Sequence, residues 1–210
     1  FATFDAIREA TAPEAQIAAD ALWRLDPGSA LPFSAELDRR NAFWLEAPLL
    51  PEDVAAHAKL ARAIRTPLAL GESYRTRWEM EPFFREQAMR YAQPDLGRTG
   101  ISEGRQIARL AASWDVAVVP HLSIALGPQI AAAIHFAAST ENCPMLEFNP
   151  SVLEVANRYL SHPVELTGAA YVVPGGPGLG IDLLEGELRQ DLDRAARASV
   201  GERVYRRATG

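Results

Sequence analysis

Lysine is almost missing from this chain. Lys59 is the only one, and every other basic residue is arginine. A lysine base or Schiff base is therefore excluded everywhere else. Cysteine is as scarce: Cys143 stands alone, so no internal disulfide can form, and a reducing, cytoplasmic setting is expected. No apolar run is long enough to span a membrane. Basic charge is in deficit, with 21 Lys and Arg against 27 Asp and Glu for a net charge of −6, which argues against a nucleic-acid partner. Repeats and low-complexity tracts are absent. The chain opens at Phe1 without a methionine, so the want of a signal peptide carries no information. The remainder is an ordinary globular composition of 210 residues, 48% hydrophobic and 23% charged, enough for a sizeable core.

The stretch Pro67-Leu68-Ala69-Leu70-Gly71-Glu72 organises the rest. Its short apolar run reads as a strand buried on both faces, ending in a carboxylate. Ile17-Ala18-Ala19-Asp20 and Phe43-Trp44-Leu45-Glu46 repeat the construction, each carboxylate 26 residues from the next. A strand, helix and return turn need about that length. Further strands are expected at Met89–Asp95, Val116–Val119 and Met145–Phe148, giving six. Helices are expected from Ala30 to Arg40, from Pro51 through Ile64, from Trp78 to Ala88, from Ser102 to Trp114 and from Gly127 to Ser139. A final charged helix runs from about Glu185 to Val200. Strict alternation predicts parallel strands joined by crossover helices. A closed (β/α) barrel needs eight strands and about 250 residues, so two strands are expected to be missing before Phe1. The stretch from Gly168 to Leu184, with Pro174-Gly175-Gly176-Pro177-Gly178, reads as loop.

Chemistry is kept at the C-terminal mouths of strands in such folds. Six successive strand ends offer Asp20, Glu46, Glu72, Asp95, His121 and Glu147. Asp20, Glu46 and Glu72, at one level on neighbouring strands, would supply hard oxygens for Mg²⁺, with water and substrate completing the octahedron. A solvated loop Glu would look the same taken singly. Without a cation, however, three clustered carboxylates repel. His121 follows Asp95 by one βα unit, and a carboxylate beside an imidazole fixes its tautomer and raises its basicity, which prepares a general base. A packed histidine is the plainer alternative. His57 is expected at the surface or an edge, and His135 in a structural role. Arg24, Arg75 and Arg77 follow strand ends and could meet substrate carboxylates or simply be solvated.

In Ala19-Asp20-Ala21, Trp44-Leu45-Glu46-Ala47-Pro48, Ala69-Leu70-Gly71-Glu72, Gln93-Pro94-Asp95, Val119-Pro120-His121 and Leu146-Glu147 the chain resembles the enolase superfamily. Within it, the likeness is to the mandelate racemase/muconate lactonizing enzyme-like C-terminal barrel domain, mandelate racemase subgroup. Pro177-Gly178-Leu179-Gly180-Ile181 is similar to that family's tail. The resemblance implies a TIM-type (β/α) barrel whose N-terminal capping domain and first strands lie outside this sequence. Residues 1–150 would form the partial barrel with the metal site. Residues 151–210 would complete the barrel and return toward the capping domain.

The resemblance further implies that Asp20, Glu46 and Glu72 bind Mg²⁺, which holds a substrate carboxylate. His121, paired with Asp95, would move the proton α to that carboxylate. Glu147 would donate a hydrogen bond to the other carboxylate oxygen as the enediolate forms. The partner is then a small-molecule carboxylate, the protein a homo-oligomer, and no other cofactor is expected. Dehydration of a sugar acid leads; racemisation or epimerisation of an α-hydroxy acid, or a non-catalytic barrel of the same fold, are the alternatives. Two departures stand out: Leu22 occupies a position that is usually Asn in the family, and a common Gly pair is reduced to Gly100. The family's Lys-x-Lys element is absent.

Overall fold

Polar capping residues decide where the helices begin, because the first amides of a helix have no partner inside it. The computed structural model describes the backbone of residues 1–208 and side chains through residue 197. Asp26 accepts from the amides of Gly28 (2.8 Å) and Ser29 (3.1 Å) to open helix α2, Pro27–Arg39. Asp53 accepts from the amide of Ala56 at 2.9 Å to open α3, Val54–Ala63. Thr76 and Glu79 cap each other's backbone amides at the start of α4, Arg77–Arg85. Asp95 accepts from the amide of Gly97 at 2.7 Å to open α5, Leu96–Ala112. A first helix, α1, covers Ala2–Ala10, and α6 covers Gly127–Ala138.

Between them lie five short parallel strands: β1 (Ala19–Asp20), β2 (Leu45–Glu46), β3 (Leu68–Leu70), β4 (Tyr91–Ala92) and β5 (Ala117–Val118). They pair in sequence order within one sheet. That is the order expected when each crossover returns the chain beside the strand it left. Neighbouring helices pack side by side, α2 on α3, α3 on α4 and α4 on α5. Leu37, Leu45, Leu68, Met80, Phe83, Phe84, Ile107 and Val118 are almost fully buried between helices and sheet.

The expected strand at Met145–Phe148 does not form; among the described residues the parallel sheet ends at β5. The segment before it still touches β5, since the carbonyl of Asn142 accepts from Val118 at 2.8 Å. Pro144 then has no N–H to give, and Met145 and Phe148 are exposed rather than buried. His57 is corrected as well. It lies on the buried face of α3 with Leu60, is 1% exposed, and meets the Phe83 ring edge-on at 5.6 Å. Its Nδ1 bonds the carbonyl of Asp53 at 2.8 Å while Nε2 has no partner, and burial lowers its pKa, so the ring stays neutral.

The chain divides into two compact units, one formed by Phe1–Leu122 with Phe136–Glu147, the other by Ser123–His135 with the chain from Phe148 onward. In the second, Asn149 caps α7 (Pro150–Asn157), a helix that the sequence pattern did not announce. A small antiparallel pair follows, β6 (Leu166–Thr167) with β7 (Ala170–Tyr171), and then α8 (Glu185–Ala208). Asn157 clamps Val164 through both its amide and its carbonyl, at 2.9 and 3.0 Å. His135 bonds the carbonyl of Leu179 at 3.1 Å, a structural role as expected. No helix among the described residues is long and apolar enough to cross a membrane.

Gly71 joins β3 to Glu72 at φ 143°, where a Cβ would stand 2.7 Å from the backbone nitrogen of Gln93. Neither the dihedral nor the contact admits a side chain. Gly71→Ala is expected to cost about 3 kcal/mol or more through backbone strain and overpacking. Chemical denaturation of the two proteins checks this; equal midpoints would show that the loop relaxes freely.

Candidate active site

Asp95 and His121 end β4 and β5, and the two residues face each other as an isolated parallel bridge beyond the strands proper. Nδ1 of His121 donates to Oδ2 of Asp95 at 2.9 Å. The other oxygen of Asp95 is held by the amide of Gly97. The carboxylate is thus fixed at both oxygens and 6% exposed. Burial pushes the Asp95 carboxyl up, but the hydrogen bonds from His121 and Gly97 outweigh it, and the group lies below its ordinary value. For His121, burial favours the neutral ring, yet the bond to Asp95 and the charges of Glu147 and Glu72 raise it above its ordinary value. With Nδ1 carrying the proton, Nε2 of the neutral ring is a bare base, and it points toward Oε2 of Glu72 at 3.9 Å.

The three expected ligands end the first three strands. Asp20 and Glu46 are register partners, so they share one level of the sheet. Glu72 does not share it: Glu46 pairs with Ala69, and Glu72 lies beyond, after the Gly71 turn. Burial pushes Glu46 up to about 7; the charges of Asp20, Glu147 and Glu72 add to the rise, and a hydrogen bond from the Gln93 amide opposes it. Burial likewise raises Glu72, assisted by Asp20 and Glu147 and opposed by His121. The carboxylates therefore act on one another electrostatically. They are not gathered into a finished ligand set, since among the described residues no three acidic, His or Cys side chains stand close enough to hold an ion.

Backbone strain marks the same strand ends. Leu22 (φ 48°) and Trp23 (φ 57°) follow Asp20 in the left-handed region, and Ala47 (φ 42°) follows Glu46. The amide of Leu22 donates to Oδ1 of Asp20 at 2.8 Å. Leucine here occupies a conformation that Asn adopts more readily. One oxygen of Glu147 accepts from the amide of Leu122, which ties the carboxylate to the end of β5.

Two residues that sequence reasoning did not single out touch the site. Nε1 of Trp44 donates to Oε2 of Glu46 at 3.0 Å, and the Gln93 amide meets the same carboxylate. Both stand two positions before a site residue, so strand alternation alone could have found them. Arg98 adds positive charge near Glu72 and Asp95. Arg77 is committed elsewhere, its guanidinium 3.2 Å from Glu103.

Residues 1–187 match the family described as enolase C-terminal domain-like. The chain belongs to that family. It is 34% identical over 190 residues to the D-galactarolactone cycloisomerase of Agrobacterium fabrum, covering 85% of this chain and 49% of that protein. It is 32% identical over 188 residues to a D-galactonate dehydratase family member of Streptomyces bingchenggensis, covering 86% and 44%. Among solved structures, an enolase-superfamily member from Agrobacterium tumefaciens superposes with a TM-score of 0.85 at 32% identity, covering 89% of this chain and 48% of the other. L-talarate dehydratase from Polaromonas sp., complexed with Mg and L-glucarate, superposes with a TM-score of 0.75 at 28% identity, covering 87% and 48%. The chain spans about half the length of the relatives it matches.

Hard carboxylate oxygens that act on one another electrostatically, with Glu46 pushed up to about 7 first by burial, fit a divalent ion by donor chemistry and by charge. Binding should then be linked to protons. Mg²⁺ affinity is expected to fall as pH drops below about 7, with proton release on binding near that value. Calorimetry in two buffers of different ionisation enthalpy measures the release directly. In metal-free protein, the His121 ring should titrate above the ordinary value of about 6.5, and Asp95→Asn should lower it, because the acceptor charge that stabilises the imidazolium is gone. NMR titration of the ring protons reads both; an unmoved titration on substitution would uncouple the pair.

Proposed function

We propose that this chain carries the acid–base half of an active site that removes the proton α to the carboxylate of a sugar acid and expels the β-hydroxyl as water. The observation that supports it is the Asp95–His121 pair, with Nδ1 fixed and Nε2 turned toward Glu72. The names of the relatives, a D-galactarolactone cycloisomerase and a D-galactonate dehydratase family member, support a sugar acid or its lactone as the substrate class.

Asp20, Glu46 and Glu72 would hold Mg²⁺, and when bound the ion supplies the positive charge that an enediolate needs. His121 Nε2 takes the α-proton as the C–H bond breaks, and the electron pair moves onto the substrate carboxylate. Asp95 stabilises the imidazolium so formed. The β-carbon–oxygen bond then breaks, and the proton on His121 leaves with the hydroxyl as water, so no proton is left over. The remaining enol tautomerises to a 2-keto-3-deoxy acid. Glu147, steadied by the Leu122 amide, would donate a hydrogen bond to the substrate carboxylate as the enediolate forms.

The cycloisomerase relative at 34% identity supports a second outcome of the same first step, in which the proton is returned and no water is lost. Solvent deuterium separates chemistry from product. The full chain should exchange the α-hydrogen of an aldonic or aldaric acid in either case, and only a dehydratase should yield the keto-deoxy acid. His121→Asn should lower both exchange and turnover by about 10² or more with little change in Mg²⁺ affinity. An undiminished His121→Asn variant would remove this residue from the chemistry.

A further inference from the structure

Glu46 is the most heavily supported carboxylate of the trio, and its supports come from two strands. Trp44 and Glu46 flank Leu45, so alternation along β2 sets both on one face. The indole ring is packed against Phe43, with centroids 4.9 Å apart, and against Tyr91 at the start of β4, at 5.1 Å. That packing fixes the direction of the ring, whose single N–H donor ends on Oε2 of Glu46 at 3.0 Å. Gln93 follows β4 and is 3% exposed; its amide reaches the same carboxylate from the other side of β3.

Core packing alone accounts for neither residue. A phenylalanine would fill the ring stack, and a buried amide is a costly filler when its oxygen Oε1 has no partner. We propose that Trp44 and Gln93 are positioning residues that hold the Glu46 carboxylate in one orientation for the divalent cation. The inference rests on the reading of Glu46 as a metal ligand. Outer-shell donors of this kind fix the angle at which a carboxylate meets an ion, and their loss lowers metal affinity by about 10- to 100-fold.

The test is Mg²⁺ titration calorimetry on the metal-free full chain, with thermal melting to establish that each variant is folded. Trp44→Phe keeps the ring stack and removes only the donor; Gln93→Met keeps length and removes the amide. Each should raise the Mg²⁺ dissociation constant about 10-fold or more. Glu46→Gln is the companion. If it abolishes binding while Trp44→Phe and Gln93→Met bind as the parent does, the positioning inference is overturned and the metal assignment survives. If Glu46→Gln itself binds Mg²⁺ as tightly as the parent, the assignment fails and takes the inference with it. Should Trp44→Phe not fold, the Gln93→Met comparison decides the same question.

Discussion

One buried carboxylate, Asp95, couples the scaffold of this protein to its chemistry. With one oxygen it accepts from the Gly97 amide in the first turn of α5, and with the other it accepts a hydrogen bond from Nδ1 of His121. The cap fixes where the helix begins, so the helix fixes the carboxylate, and the carboxylate fixes the ring. Burial pushes the Asp95 carboxyl up, and its two donors more than offset that push. An acid that served only as a cap would leave the ring free to rotate. One that served only as the ring's partner would be costly to bury. Joining the roles lets one desolvated charge serve both.

Around this pair the site is built from groups that oppose one another. Glu46 and Glu72 are both pushed toward neutrality by burial and by their neighbours, while His121 draws charge from the same carboxylates. Left-handed non-glycine residues cluster at Leu22, Trp23 and Ala47, directly after two of the expected ligands. Such strain persists only where the surrounding structure over-determines it. Here the hydrophobic layer from Leu45, Leu68, Met80 and Phe83 to Val118 supplies the determination. The core tolerates a mouth that is locally unfavourable in both charge and backbone.

Much of this was visible in the residues. Parallel strands separated by helices follow from apolar runs that recur every 23 to 26 residues, and the ladder confirms the runs at Leu45, Leu68 and Val118. The partnership of Asp95 with His121 followed from one βα unit of separation. What was missed has local causes. Met145–Phe148 has the composition of a strand, but Pro144 withholds a donor where pairing would begin. His57 carries a polar name on an apolar face, and only the Phe83 ring reveals which way that face turns. Glu72 shares the spacing of Asp20 and Glu46 but not their level, because spacing counts residues and does not register the turn at Gly71. Trp44 was read as part of an apolar run, and its N–H became meaningful only once Glu46 was known to share its side of the strand.

The register of β1 with β2 brings Asp20 beside Glu46, and the amide of Leu122 receives Glu147 from more than half the chain away from Asp20. No two of the six site residues are sequence neighbours; five follow successive parallel strands, and Glu147 arrives on a segment without strand pairing. Every one of their mutual contacts is therefore bought by closing a long loop of chain, and none can form early from local structure. During folding, the electrostatic conflict among the carboxylates stays dilute while the strands assemble. It reaches full strength only when the last of them is docked and the hydrophobic layer beneath already resists it.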